Sequence, residues 1–425
     1  MCIIKRTLYA RFLAACCAAA CYSTAFDVDA VTLKFIVPSG ATSETSRFYT
    51  KLIKEFELEE PGIKIAFMPL SNWDSVIGTV KEINAGNQNA GVFVAEVSET
   101  LELEKLGLIT PFQDALEKHG GTLKEFVAPI SSEFLGNSYC ANKKFCGPPF
   151  LRSTPVALYN LDRMRQAGIS KDQLPATWGE MELMLEKLKN QSQQAPFCLG
   201  GDWYDYLFEA MVLQAGGTLM DAQRNRVTLT TPEAVEALSF WKRLKDKNLL
   251  VRAHTWKATL NGFVSNFYPV TYYSSGGLEA VRGNVKFAWT ADMLPKNNAY
   301  AVAAGGGNIY LSAHLTDDET QAALKLVTFL FRPSIQARIS ATTGFFPAVD
   351  AAFAEPELKE RYSKDEPFVR IRRQLKYAKP KLMSIENLKV RDILKKAIDR
   401  TLDENVAPAD ALQRAQHEVD QLLGQ

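Results

Sequence analysis

Two spacings of hydrophobic and polar positions alternate along this chain and predict alternating strands and helices. Val31, Leu33, Phe35 and Val37 recur at every second position, the period of a strand with one buried face. Phe48, Leu52 and Phe56 then fall four apart, so residues 46–58 predict a helix that Pro61-Gly62 ends. Ile63, Ile65 and Phe67 return to the period of two. Trp73, Val76, Ile77, Val80 and Ile83 form a second helical face, closed by Gly86. Residues 91–97 (Gly-Val-Phe-Val-Ala-Glu-Val) are apolar on both faces except at Glu96, as in a buried parallel strand. This β-α-β-α-β order belongs to an open α/β sheet.

The second half repeats the pattern with stronger helix-start signals. Residues 151–160 (Leu-Arg-Ser-Thr-Pro-Val-Ala-Leu-Tyr-Asn) predict a buried strand that feeds a short helix ending at Gly168. Thr177 and Glu180 make a capping box ahead of Met181, Met184, Leu185 and Leu188, and Thr316 with Glu319 makes another. Thr231 caps a helix that has Pro232 at its first position. The last forty or so residues carry two amphipathic faces, Ile393-Leu394-Ala397-Ile398 and Leu412-Ala415-Val419-Leu422. No linker rich in Pro, Gly or Ser divides the chain. Two lobes without a linker imply that the chain crosses between them more than once, as strands.

At 425 residues the chain is too long for one ordinary core. Hydrophobic residues at 47% and charged residues at 23% indicate a globular protein, and a net charge of +1 leaves no electrostatic footprint for nucleic acid. The N-terminus changes the picture more. Lys5, Arg6 and Arg11 precede a short apolar run, and Ser23 and Ala25 are spaced for cleavage, so residues 1–25 predict an export signal and a periplasmic protein. Cys16 ends a Leu-Ala-Ala-Cys sequence and Cys21 an Ala-Ala-Ala-Cys sequence. Either is a candidate lipid anchor. In an oxidising compartment Cys140 and Cys146 can close a short loop as a disulfide, leaving Cys198 as a buried thiol.

Several residues stand out as a binding surface. Trp203, Tyr204 and Tyr206 crowd the start of a helix, too many rings for one core face, and aromatic faces suit sugar rings, glycerol carbons or a choline cation. Ser274, Ser275, Gly276 and Gly277 end a strand and open a helix. They either seat an anion on backbone amides or only make a tight turn. Gly305, Gly306 and Gly307 either admit a ligand to the backbone or mark a crossover. Glu96, a carboxylate in an apolar strand, either accepts from ligand hydroxyls or reaches solvent at the strand's end. Catalytic motifs are missing, the four histidines have no metal-ligand spacing, and no cofactor is implied. Asp202 and Asp205 could serve as the acid pair of a glycosidase, but a helix start explains them better.

These residues carry a resemblance to the extracellular solute-binding proteins of ABC uptake systems, in the group of maltose and glycerol-3-phosphate receptors, over almost the whole mature chain. The Ser-Thr-Pro-Val strand ending in Tyr-Asn (residues 153–160), Glu96-Val97, the aromatics Trp203 and Tyr206, Ser274-Ser275-Gly276, Gly305-Gly306 and the Thr-Gly-Phe-Phe-Pro element at 343–347 all match that pattern, and Trp73 falls near an aromatic contact. The resemblance implies two α/β lobes, each an open, mostly parallel sheet flanked by helices: 26–156 with 305–340, and 157–304 with 341–425. It implies a monomer that captures a glycerophosphodiester, glycerol-3-phosphate or a sugar, catalyses nothing, and delivers its ligand to a membrane permease driven by an ATPase. The ligand residues implied are Trp73, Glu96, Ser153, Trp203, Tyr206, Ser274, Ser275, Gly306 and Phe345. Two departures bear on phosphate binding. Phe345 stands where the pattern has tyrosine, and Met383 where it has a phosphate-gripping arginine, so Lys381, Lys389 or Arg391 would have to compensate.

Overall fold

The computed structural model describes residues 30–39, 44–200, 202–221, 226–253 and 255–424. The export signal at 1–25, with Cys16 and Cys21, lies outside the described residues. Among the described residues no helix is long and apolar enough to cross a membrane.

Two sheets organise the chain. In the first, Val31–Val37 lies between Ile63–Pro69 and Val92–Glu96 and is parallel to both. The Gly305–Ser312 strand runs antiparallel beside Val92–Glu96, followed by Pro149–Ser153 and Phe346–Pro347. In the second sheet the order is Trp289–Met293, Pro155–Asn160, Val270–Ser274, Phe197–Leu199, Leu250–Arg252. Helices cover both sheets because their apolar stripes need a partner surface. Leu52, Ile53 and Phe56 of the Glu44–Glu59 helix pack on the first sheet, and Met181, Met184, Leu185 and Leu188 of the Trp178–Ser192 helix pack on the second. The three helix starts expected at Thr177, Thr231 and Thr316 are all present, each threonine hydroxyl accepting from the backbone three residues on.

The two-lobed α/β architecture is the expected one, with four differences in detail. The sheets are mixed, not mostly parallel. Their parallel pairs are joined through helices, but Gly305–Ser312 and Pro155–Asn160 arrive directly from the other sheet and therefore run antiparallel to their neighbours. The run at 151–160 is two strands, broken at Thr154: Pro149–Ser153 belongs to the first sheet and Pro155–Asn160 to the second, so this stretch is itself a crossing between them. Trp73 precedes the Val76–Ala85 helix and is not part of its buried face. Phe346–Pro347 pairs with the first sheet and Ala348 and Val349 join its core, although the Phe346 side chain packs in the core of the second sheet, as does most of the chain after it. Cys140 and Cys146 are disulfide-bonded, with Cα atoms 5.7 Å apart, and Cys198 is buried and free.

Candidate functional site

The parallel strands of both sheets end at a cleft of about 620 Å³ between them, a volume suited to a small solute. Open α/β sheets bind ligands outside the carboxyl ends of their strands, where neighbouring connections diverge to opposite faces. Glu96, Ser153, Gly306, Trp73 and Phe345 reach the cleft from the first sheet, and Trp203, Tyr206 and Ser274 from the second. Eight of the nine residues expected at the ligand therefore share one surface. Ser275 does not. It is fully buried, and its hydroxyl accepts from the Thr154 amide, so it secures the crossing.

The aromatic walls explain the glycines. An added Cβ on Gly305 would lie 2.9 Å from the Tyr206 ring, one on Gly307 would lie 2.6 Å from Trp73, and one on Gly276 would lie 2.8 Å from Phe345. Gly277 meets Tyr273 in the same way, and Tyr273 stacks on Trp256 with ring centres 4.2 Å apart. Each glycine is a flat seat for a ring. Gly306 differs: its φ of +100° and the Leu151 carbonyl, 2.1 Å from where a Cβ would stand, exclude any side chain. The suggested anion seat at 274–277 is weaker than the sequence implied, because the Gly276 amide already donates to the Ser274 hydroxyl.

Charges lie behind the walls. Glu96 faces the cleft but is already engaged: Lys381 Nζ stands 3.1 Å from Oε1, and Ser98 donates to Oε2 from both its amide and its hydroxyl. Arg391 pairs with Asp205 at 2.9 Å and lies 4.7 Å from the centre of the Trp203 ring, while Lys381 lies 5.4 Å from that ring and 5.2 Å from the Tyr206 ring. Burial alone would raise the Asp205 carboxyl, but Arg391, Lys381 and Lys395 outweigh it and hold the group below its ordinary value. Asp205 is therefore a buried anion committed to Arg391, and Asp202, which accepts from the Trp256 amide, lines the cleft without it. Tyr204 points away from the cleft, its hydroxyl donating to Asp399 at 2.7 Å.

None of the cations considered as substitutes at Met383 lines the cleft. Lys381 and Arg391 are held by carboxylates, Lys389 is exposed and pairs with Glu386, and Met383 itself is buried. Among the described residues the cation that does line it is Lys257, in the first turn of the Trp256–Val264 helix, together with Trp256 and Leu260. Sequence reading missed this group. Trp256 and Lys257 sit in a surface helix whose signal is only its Thr255 cap, and nothing local reveals which helix borders the cleft.

Comparison with known proteins agrees with the two-lobed fold. A model of the family described as bacterial extracellular solute-binding protein matches residues 51–366. The sn-glycerol-3-phosphate-binding periplasmic protein UgpB of Escherichia coli (strain K12) is 23% identical over 402 residues, covering 89% of this chain and 90% of its own length. Among solved structures, UgpB from Mycobacterium tuberculosis in complex with glycerophosphocholine has a TM-score of 0.81 at 19% identity, covering 92% of this chain and 98% of that one. The GacH receptor of Streptomyces glaucescens GLA.O, solved unliganded and with acarbose, has a TM-score of 0.77 at 18% identity, covering 93% of this chain and 99% of that one. With a family match over most of its length and a cleft between two sheets, this chain belongs to the bacterial extracellular solute-binding proteins.

Proposed function

We propose that this protein is the periplasmic receptor of an ABC importer and that its cleft captures glycerol-3-phosphate or a glycerophosphodiester such as glycerophosphocholine. One observation carries the reading: the cleft combines aromatic seats with small donors and a cation. Trp73, Trp203, Tyr206 and Phe345 offer faces to the glycerol carbons, Ser153, Ser274 and the Gly306 amide offer donors to phosphate oxygens, and Lys257 offers charge. The relatives that bind glycerol-3-phosphate and glycerophosphocholine support it. In this reading Glu96 acts indirectly, by holding Lys381 behind the wall.

The lobes would be 26–156 with 305–340 and 157–304 with 341–425, residues 346–349 moving with the first sheet. Ligand capture would favour a hinge-closed monomer that docks on a membrane permease coupled to its ATPase. The signal at 1–25 would export the chain, with Cys16 or Cys21 as its lipid anchor. A neutral oligosaccharide is the second reading, supported by the carboxylates Asp74 and Asp202 on the cleft, which suit sugar hydroxyls, and by the acarbose-binding relative. Isothermal titration with glycerol-3-phosphate, glycerophosphocholine and maltose separates the two. Micromolar or tighter binding of a phosphate ester is expected, and binding of maltose alone would transfer the protein to the sugar receptors.

A further inference from the structure

We propose that a basic face built by Lys296, Lys376 and Lys379 around Tyr300 and Tyr377 docks the protein on a membrane surface that carries anionic phospholipid headgroups. None of these five residues lines the cleft, so the inference goes beyond the ligand reading and does not depend on it.

The sequence supplies the charge. Six cations and no carboxylate fall in residues 370–381 (Arg-Ile-Arg-Arg-Gln-Leu-Lys-Tyr-Ala-Lys-Pro-Lys), on a chain whose net charge is only +1. The fold then concentrates it. Val302–Ala303 pairs in parallel with Ala378–Lys379, which brings together the residues just before each strand. The Tyr300 and Tyr377 rings meet there, with centres 5.4 Å apart. Lys296 Nζ lies 5.3 Å from the centre of the Tyr300 ring, and Lys376 Nζ lies 4.9 Å from that of Tyr377. Lys379 follows Tyr377 by two residues and so shares its side of the strand, while Ala378 between them is buried. Lys376 and Lys379 are exposed, and Lys296 and both rings are half-buried. The carboxylates that act on Tyr300 are committed elsewhere. Asp292 pairs with Arg370 at 2.8 Å and with Arg373 at 3.4 Å, and Glu180 accepts from the Ala176 and Thr177 amides. Among the described residues no carboxylate forms an ion pair with any of the three lysines.

The make-up of the face selects the partner. A lysine ammonium is a hydrated point charge on a flexible stem, which suits a diffuse layer of headgroups, whereas fixed recognition of a protein carboxylate calls for the fork of an arginine. Tyrosine suits a membrane–water interface, with its ring at the headgroup level and its hydroxyl in water. A protein interface is centred instead on large side chains that become fully desolvated. The large hydrophobic side chains exposed among the described residues, such as Leu58, Leu183 and Phe267, are not part of this face. Adsorption held by charge in this way is reversible and salt-dependent.

The test uses the chain without residues 1–25, which removes the candidate lipid anchors and leaves every described element in place. Sedimentation with vesicles of phosphatidylcholine, and of equal parts phosphatidylcholine and phosphatidylglycerol, reads the partition at low and at high salt. Binding is expected to the anionic vesicles alone, and it should weaken as salt rises. Lys296→Gln, Lys376→Gln and Lys379→Gln combined should lower it about a hundredfold, since each cation contributes about fivefold near an anionic surface. The three positions changed together to arginine keep the charge and should bind like the parent, and both triple variants should keep the parent's unfolding midpoint. No binding to anionic vesicles, or equal binding by the glutamine variant, would overturn the inference. Binding to polyglutamate without binding to vesicles would also overturn it and assign the face to an acidic protein.

Discussion

Lys381 reaches from the segment before the last two helices to Glu96 at the end of a strand of the first sheet, Nζ to Oε1 at 3.1 Å, with both side chains almost inaccessible. This pair ties the C-terminal part of the chain to the floor of the cleft. Asn137 reinforces it, exchanging two hydrogen bonds with the Lys381 backbone. Removing one charge of a buried pair leaves the other uncompensated, at a cost of about 3–5 kcal/mol. Lys381→Met is therefore expected to be strongly destabilising, and Glu96→Gln combined with Lys381→Met much less so than the sum of the two. A double-mutant cycle by urea unfolding measures the coupling, and simple additivity would refute it.

The Asp205–Arg391 pair gives a pH dependence of defined sign. The folded Asp205 carboxyl titrates below its ordinary value of 3.8 despite the opposing effect of burial, because Arg391, Lys381 and Lys395 favour the anion. An acid with a depressed folded value binds fewer protons folded than unfolded, so its contribution is complete above the unfolded value and is lost as pH falls through the folded one. Stability is expected to drop on acidification below about pH 4, and Asp205→Asn is expected to lose part of that slope. Unfolding midpoints from pH 6 to pH 3 check this.

The glycine seats predict that affinity and stability fall together. Gly305→Ala places a methyl group against the Tyr206 ring, and Gly307→Ala places one against Trp73 and Val94. Overpacking of this kind costs about 1–3 kcal/mol. Each variant should fold, lose stability in that range, and bind ligand at least tenfold more weakly because its ring is displaced. Calorimetry of ligand-free and ligand-bound protein reads both effects.

Lys257 predicts a salt dependence. The position is exposed on the cleft rim, so its charge acts through solvent and is screened. Lys257→Glu is expected to weaken glycerol-3-phosphate binding about tenfold at low ionic strength. The loss should shrink as salt approaches 1 M, where the screening length is about 3 Å. Maltose binding should not change. Titrations at two salt concentrations decide it.

Much of the fold was legible in local signals. The alternation at Val31–Val37, the capping boxes at Thr177 and Thr316 and the Thr231-Pro232 start each specify an element through interactions within a few residues, and all are present in the structure. Spacing and composition also anticipated the Cys140–Cys146 bond. Eight candidate ligand residues were found because strand ends and helix starts carry recognisable motifs, and in this architecture those ends converge.

Long-range relationships were not legible. Ser274 and Ser275 are adjacent and chemically identical, yet one lines the cleft and the other holds the crossing at Thr154, because successive residues leaving a strand point to opposite sides. Nothing local to Glu96 showed that Lys381, far along the chain, pairs with one of its oxygens. Gly276 read as part of an anion seat or a turn, and Gly305 and Gly307 as a ligand approach or a crossover, until each met an aromatic ring from elsewhere in the chain. Sequence alone determined most of the elements and their caps, since hydrophobic period and capping act within a few residues, while chain length and the family resemblance implied the two lobes. The tertiary structure alone decided which polar groups are committed to one another, as Lys381 is to Glu96, and which, such as Lys257, line the cleft. That distinction depends on contacts between segments far apart in the sequence, where no local pattern carries information.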